Sequence, residues 1–288
     1  MKTAISSWSY HKLLDSGDMS WHDAVDHAAS IGADGFECVL GDIAPDGGDI
    51  RAFASDLFSY IRSKGLETPI YTTGAELLRG DVSAEIRRIE KHIDIASENG
   101  VKLLRHDVTS GFPAGNTGSW NDALAVLVPA VREITEYARG KGVMTCSENH
   151  GRFFQESRRV ENLFEQVGSD NYRYLCDIGN FGGVDENCAE ACSRLTRFIC
   201  HVHAKDNLFR SGKERDPGAF WSVSRAGNYR RGTVFGQGCD PTFQCLKLIY
   251  TSGYRGFVSL EFEGIEQTIP AIEAGFANLK AMLSEIEK

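Results

Sequence analysis

Short apolar runs alternate with amphipathic stretches along the chain, about eight times, with no Pro/Gly/Ser-rich linker and no shift in composition between them. The apolar runs are "TAISSWSY", "DGFECVL", "LETPIYTTG", "VKLLRHDV", "GVMTCSENH", "YRYLCDIGNF", "FICHVHAKD" and "GFVSLEFEG". Their shortness and apolarity suit strands buried in a parallel sheet. Helical signals fall between them. Ser20 and Asp23 form a capping-box-like start to a helix that stops near Gly32. "IRAFASDLFSYIRSKG" ends at Gly65. Ile86, Ile89, Ile93 and Ala96 share one helical face, and Gly100 stops that helix. Leu124, Leu127, Val131 and Ile134 mark the next, which Pro129 is expected to kink or break. "RRVENLFEQVG" and "ENCAEACSRLTR" read as helices, and Asp240-Pro241 opens another as cap and first residue. Ile272, Phe276, Leu279, Leu283 and Ile286 stripe the last.

The expected fold is α/β: one closed (β/α)8 TIM barrel spanning residues 1–288, near the roughly 250 residues typical of that architecture. An open doubly wound sheet is the runner-up. It normally carries a Gly-rich nucleotide turn after an early strand. Neither G-x-G-x-x-G nor G-x-x-x-x-G-K-[ST] occurs, and "GQG" at 236–238 is too short for either.

Composition excludes several classes. A net charge of -9 with a pI near 5.4 argues against duplex DNA as a partner. No run is long and apolar enough to span a bilayer, and the N-terminus lacks the apolar segment of a secretion signal. The eight cysteines are scattered without a C-x-x-C pair, so they read as reduced core filler in a cytoplasmic protein.

In a barrel, side chains at the C-terminal strand ends converge on one mouth. Here those ends carry Trp8, Glu37, His106 and Asp107, Glu148 and His150, Asp177 and Asn180, His201, His203 and Lys205, and Glu261 and Glu263. Carboxylates with imidazole suit a divalent cation, and oxygen-rich ligation with one His fits Mn²⁺, Mg²⁺ or Co²⁺ better than a sulfur-bound structural zinc. Each carboxylate alone reads better as a cap or surface group. Four candidates, three carboxylates and a histidine, that end four successive strands argue against that reading.

"SENHG", "CDIGNF", "HVHAKD" and "SLEFEG", in that order on the last four strands, resemble the sugar phosphate isomerase/epimerase family, the xylose-isomerase-like barrels that include ketose 3-epimerases and inosose dehydratase. The resemblance implies a metal, Mn²⁺ first and Mg²⁺, Co²⁺ or Zn²⁺ otherwise, held by Glu148, Asp177, His203 and Glu261. It implies Glu148 and Glu261 as catalytic carboxylates. His150 is a further catalytic candidate, and His106, Lys205, Asn180 and Trp8 are candidates for substrate binding. Two departures matter. Ketose 3-epimerases often have His where Asn180 stands, and the Glu148-x-His150 spacing resembles the metal-bearing subunits of C-glycoside deglycosylases.

The implied chemistry is proton abstraction beside a carbonyl of a ketose or keto-sugar, giving an isomerase or epimerase. A lyase on the same scaffold is the alternative, either an inosose-type dehydratase or a deglycosylase subunit that eliminates from a 3-keto-glycoside and has an unrelated partner chain. A non-catalytic sugar-binding barrel ranks below both. The expected partners are a small sugar and further copies of the chain. Residues 207–238 lack periodicity and carry Arg210, Lys213, Arg215, Arg225, Arg230 and Arg231. They read as a long basic loop: a lid, an anion clamp, a subunit interface or simply a solvated segment. Neutralising Arg230 and Arg231 is then expected to leave the melting temperature nearly unchanged.

Overall fold

A computed structural model describes residues 1–288. Seven parallel strands come first: β1 (Lys2–Ser6), β2 (Gly35–Val39), β3 (Tyr71–Thr73), β4 (Leu103–His106), β5 (Met144–Glu148), β6 (Tyr172–Asp177) and β7 (Ile199–Ala204). A small antiparallel sheet follows, built from β8 (Asp206–Arg210), β9 (Ser222–Val223) and β10 (Tyr229–Thr233) in the order β8-β10-β9. Strand β11 (Phe257–Leu260) then pairs with both β7 and β1 and closes an eight-stranded barrel in the order β1-β11-β7-β6-β5-β4-β3-β2. The helices are α1 (His11–Ser16), α2 (Trp21–Ser30), α3 (Ile50–Ser63), α4 (Val82–Glu98), α5 (Trp120–Gly140), α6 (Ser157–Val167), α7 (Cys188–Leu195), α8 (Thr242–Thr251) and α9 (Thr268–Ile286). None is long and apolar enough to cross a membrane.

The helix starts follow from the sequence. Ser20 and Asp23 form a complete capping box at α2, and Ser119 and Asp122 form another at α5. Each cap satisfies N–H groups that the first turn leaves open, worth about 0.5–2 kcal/mol. The apolar faces of the helices pack on the strands as one continuous core. A second, smaller group, Ile70, Cys146 and Leu175, is also fully buried. Cys146 and Leu175 stand two residues before Glu148 and Asp177. Side chains two apart share a face, so these apolar groups make a packed floor beneath the polar strand ends. All eight cysteines are free, and six are buried.

Four local expectations are revised. Strand β1 stops at Ser6, so Trp8 lies in the 3₁₀ turn that follows it. "LETPIYTTG" contributes only three strand residues, after Pro69. Helix α5 runs unbroken through Pro129, because Leu127, Val128, Ala130, Val131 and Ile134 around it are all packed in the core. Asp240 does not cap α8; its carboxylate is taken by Arg230 Nη2 at 2.7 and 2.8 Å.

The basic segment is a folded sheet rather than a free loop, and Arg210, Arg225, Arg230 and Arg231 are engaged while Lys213 and Arg215 are exposed. Arg230 is buried against Asp240, its guanidinium lying where a Cβ on Gly182 would be. Arg225 pairs with Glu156, and Arg231 lies over the Trp221 ring. Asp206 anchors the return: its carboxylate accepts the N–H groups of Gly236 at 3.0 Å, Gly238 at 2.9 Å and Asp240 at 3.2 Å. The "GQG" turn thus wraps a buried carboxylate.

Candidate metal centre

Glu148 ends β5, Asp177 ends β6, His203 is the penultimate residue of β7, and Glu261 directly follows β11. These strands are consecutive in the barrel wall, and one donor atom from each of the four side chains lies within 4.8 Å of the others. His203 offers Nδ1, 3.6 Å from Glu261 Oε1 and 3.9 Å from both Glu148 Oε1 and Asp177 Oδ2. All four residues are buried.

Each donor is aimed by its neighbours. Asp177 Oδ1 accepts the N–H groups of Gly179 at 2.8 Å and Asn180 at 2.9 Å, an Asx turn that leaves Oδ2 toward the cluster. Gly179 is required there: a Cβ would stand 2.9 Å from Asn207 Nδ2 and 3.0 Å from the Lys205 carbonyl. Asn149 ties β5 to β6 by donating to the Asp177 carbonyl and accepting from Asp177 N–H and Tyr174 O–H. Within the barrel, His203 Nε2 donates to Glu37 Oε1 at 2.9 Å, which leaves Nδ1 as the nitrogen facing the cluster. His201 Nε2 sits 3.1 Å from the other Glu37 oxygen and 2.8 Å from Ser259 Oγ. His201 is therefore a buried structural histidine. Burial opposes the Glu37 charge, yet His203 and His201 hold its carboxyl well below the usual range.

Cations crowd the same acids. Lys205 Nζ lies 2.7 Å from Glu261 Oε2 and 3.2 Å from Asp177 Oδ2 and Glu263 Oε2. Arg105 Nη2 bridges Glu148 at 2.7 Å and Asp107 at 2.6 Å. Burial, reinforced by the Glu148 and Glu261 charges, lifts Asp177 to about 7 against the pull of Lys205. For Glu261 the balance is opposite: Lys205 and His203 overcome burial and hold it at about 2. Burial disfavours a charged His203, but Glu37 and Glu261 raise it to about 10.

The residues fit a divalent cation. Asp177 Oδ2 and His203 Nδ1 are buried and accept or donate no hydrogen bond. The Lys205–Asp177 contact is an ion pair out of hydrogen-bond alignment. Burying such atoms without a partner is costly, and a cation among them supplies one. Three carboxylates and one imidazole form a set that matches Mn²⁺, Mg²⁺ or Co²⁺.

Above the cluster opens a cavity of about 210 Å³, walled in part by Trp8, Thr72, Arg105, Asp107, His150 and Lys205. His150 Nδ1 lies 3.1 Å from Asp107 Oδ1, and the imidazole is half-exposed. Burial works against its charged form, but Asp107 outweighs this and raises its pKa. Trp8 donates its indole N–H to Glu263 Oε1 at 2.7 Å. Asn180 donates to Glu148 Oε1 at 2.8 Å and accepts from Lys205 at 3.3 Å, so it supports the cluster from an adjoining polar cavity.

His106 is not brought to this cavity. It is fully buried, hydrogen-bonded to the Asp107 carbonyl at 2.7 Å and stacked with Tyr172. Its neighbour Arg105 faces the barrel interior, so the strand's two-residue period turns His106 outward. Sequence reasoning missed Arg105 altogether and gave Asp107 no role. The signal was present: an arginine inside an apolar strand, two residues before an aspartate, on one face.

The xylose isomerase-like TIM barrel family profile matches residues 25–282. The chain belongs to this family. Among solved structures, this xylose isomerase-like barrel is similar to D-psicose 3-epimerase from Clostridium cellulolyticum H10, with D-tagatose, at TM-score 0.75 and 15% identity, covering 98% of this chain and 99% of that one. It is similar to a xylose isomerase domain protein from Planctomyces limnophilus at TM-score 0.73 and 15% identity, covering 100% and 97%. The probable 3-DHS dehydratase AsbF, involved in petrobactin synthesis, from Bacillus anthracis matches at TM-score 0.73 and 17% identity, covering 97% and 99%. At such identities the likeness establishes the fold. No curated protein sequence matches significantly.

Proposed function

We propose that this protein is a divalent-metal-dependent isomerase or epimerase of a ketose or keto-sugar, acting in the cytoplasm as a homo-oligomer with Mn²⁺ as the first-choice ion. The observation that carries the reading is the convergence of Glu148, Asp177, His203 and Glu261, with Asp177 Oδ2 and His203 Nδ1 left without a hydrogen-bond partner. These four would hold the ion. The ion, when bound, supplies Lewis-acid stabilisation of the charge that develops on the substrate's carbonyl oxygen.

The chain's own residues do the rest. Glu148 and Glu261 flank Asp177 and His203 in the wall, so one carboxylate takes the proton from the carbon beside the carbonyl and the other returns it. Lys205 supplies a positive charge at the same face, and Trp8 covers the mouth. Return to the same carbon epimerises; return to its neighbour isomerises.

A second reading, a lyase, is favoured by one specific observation. Asp107 holds His150 Nδ1, which turns Nε2 into an oriented proton acceptor at the cavity rim. In that reading His150 is the base and a leaving group departs.

The test is exchange in D2O. The metal-loaded protein is expected to wash deuterium into the carbon beside the carbonyl of its keto-sugar. Glu261→Gln should lose most turnover while His150→Gln loses about 10–100-fold. Loss of all product in His150→Gln with partial activity in Glu261→Gln selects the lyase. No exchange with any keto-sugar, or exchange untouched by either variant, rules out proton transfer at this site.

A further inference from the structure

Trp8 and Val39 border two cavities. One is the polar cavity above the metal cluster, in which they are the only hydrophobic residues. The other is a slot of about 190 Å³ lined by Leu14, Trp21, Leu40, Ile43, Pro45 and Ile50, with His11 and Asp15 at its polar edge. The two lobes meet at the Trp8 indole, which His11 stacks against at 4.7 Å and Glu263 holds by its N–H.

Either lobe alone is smaller than the roughly 300–1,000 Å³ of a usual small-molecule site, whereas the two joined fall within it. Their chemistry differs sharply. One offers carboxylates, a lysine and an imidazole; the other offers two tryptophans and aliphatic side chains. Ile43 leaves 68% of its surface exposed and Trp8 leaves 41%, apolar area at the mouth that nothing in the chain covers.

We infer that the substrate has two parts: a hydroxylated keto portion that reaches the cluster and a flat aromatic group that lies in the Trp8–Trp21–Ile43 slot. A bare sugar fills the polar lobe and leaves the slot in water. An aryl group there removes apolar surface on both sides from water, at roughly 25 cal/mol per Å², and aromatic rings pack favourably on tryptophan. The wall that the slot shares with the metal cavity, Trp8 and Val39, places this occupant beside the cluster and selects it over a separate ligand. This inference rests on the proposed sugar chemistry for the polar lobe, but its test reads binding and not turnover.

The probes are matched phenyl and methyl glycosides of glucose, galactose and xylose, titrated against the Mn²⁺-loaded protein by calorimetry. For at least one sugar the phenyl member should bind roughly tenfold or more tightly than the methyl member. Ile43→Asp should bring the two within twofold of each other, and Ile43→Leu should keep the preference. Because Ile43 is exposed, neither substitution threatens the fold. Equal affinities, no binding of any phenyl glycoside, or a preference that survives Ile43→Asp overturns the inference. A change of oligomeric state in Ile43→Asp, seen by sedimentation without any phenyl preference, makes the slot a protein interface and overturns it equally. Phenyl preference without deuterium exchange in any keto-sugar keeps the slot and removes the proposed reaction.

Discussion

At the scale of single residues, protons would compete with a cation for the four-residue cluster. Asp177 sits at about 7 and His203 at about 10, so both carry protons through part of the neutral range. An ion must displace them, and its affinity therefore rises with pH. Between pH 6 and pH 8 the Mn²⁺ dissociation constant is expected to fall at least tenfold, and a flat profile by calorimetry contradicts this. His106 gives a second test. Burial lowers its pKa to about 4. Above its ordinary value of about 6.5 it is neutral folded or unfolded and contributes nothing to the pH dependence. As pH falls below that, the unfolded chain binds a proton that the folded chain refuses until about 4. Between pH 7 and pH 4.5 this costs roughly 2–3 kcal/mol of stability. His106→Gln should be measurably flatter over that window in urea denaturation, and an unchanged slope refutes the assignment. That Glu148, Asp177, His203 and Glu261 would converge could be anticipated in the sequence, because polar groups ending successive apolar strands are conspicuous and the family resemblance picks out these four. Asp107 was passed over although Arg105 two residues earlier signalled it, because an aspartate after a strand also reads as a turn former.

At the scale of elements, the small antiparallel sheet is held by charge pairs that a linear reading cannot join. Arg230 and Asp240 lie ten positions apart, yet they meet with side chains 11% and 6% exposed. Breaking such a buried pair leaves one charge uncompensated, at a cost of about 3–5 kcal/mol. Arg230→Ala is expected to lower stability by that order in chemical denaturation, whereas Arg210→Ala, on an exposed stretch of β8, should change it by less than about 1 kcal/mol. This replaces the expectation that neutralising Arg230 costs nothing. Composition showed the basic charges of 207–238 but not their partners. Pairing in three-dimensional space, with Asp206 gathering the return turn, is what makes the segment a sheet. Helix α5 teaches the same lesson: the local rule at Pro129 loses to burial of the face around it.

At the scale of the molecule, the barrel itself was readable because eight short apolar strands alternate with amphipathic helices at barrel length and no Gly-rich nucleotide turn marks an open doubly wound sheet. What could not be read was how labour divides around the ring. The donors occupy one arc, β5, β6, β7 and β11, while Trp8, Val39, Thr72 and the Arg105–Asp107 pair come from the other, β1 through β4 and the turns after them. Each arc is also continuous in the chain, apart from the small sheet inserted after β7. Residues up to about Asp107 wall much of the cavity and brace the cluster through Glu37 and Arg105; residues from Glu148 to Glu261 carry its four donor groups. A chimera joining the first arc of a relative to the second arc of this chain is therefore expected to retain one metal ion per chain by elemental analysis while changing which sugars it takes. Recombination between the halves would then alter the cavity wall in one step while the four donor groups are inherited together, provided the incoming half keeps the Glu37 and Arg105 contacts.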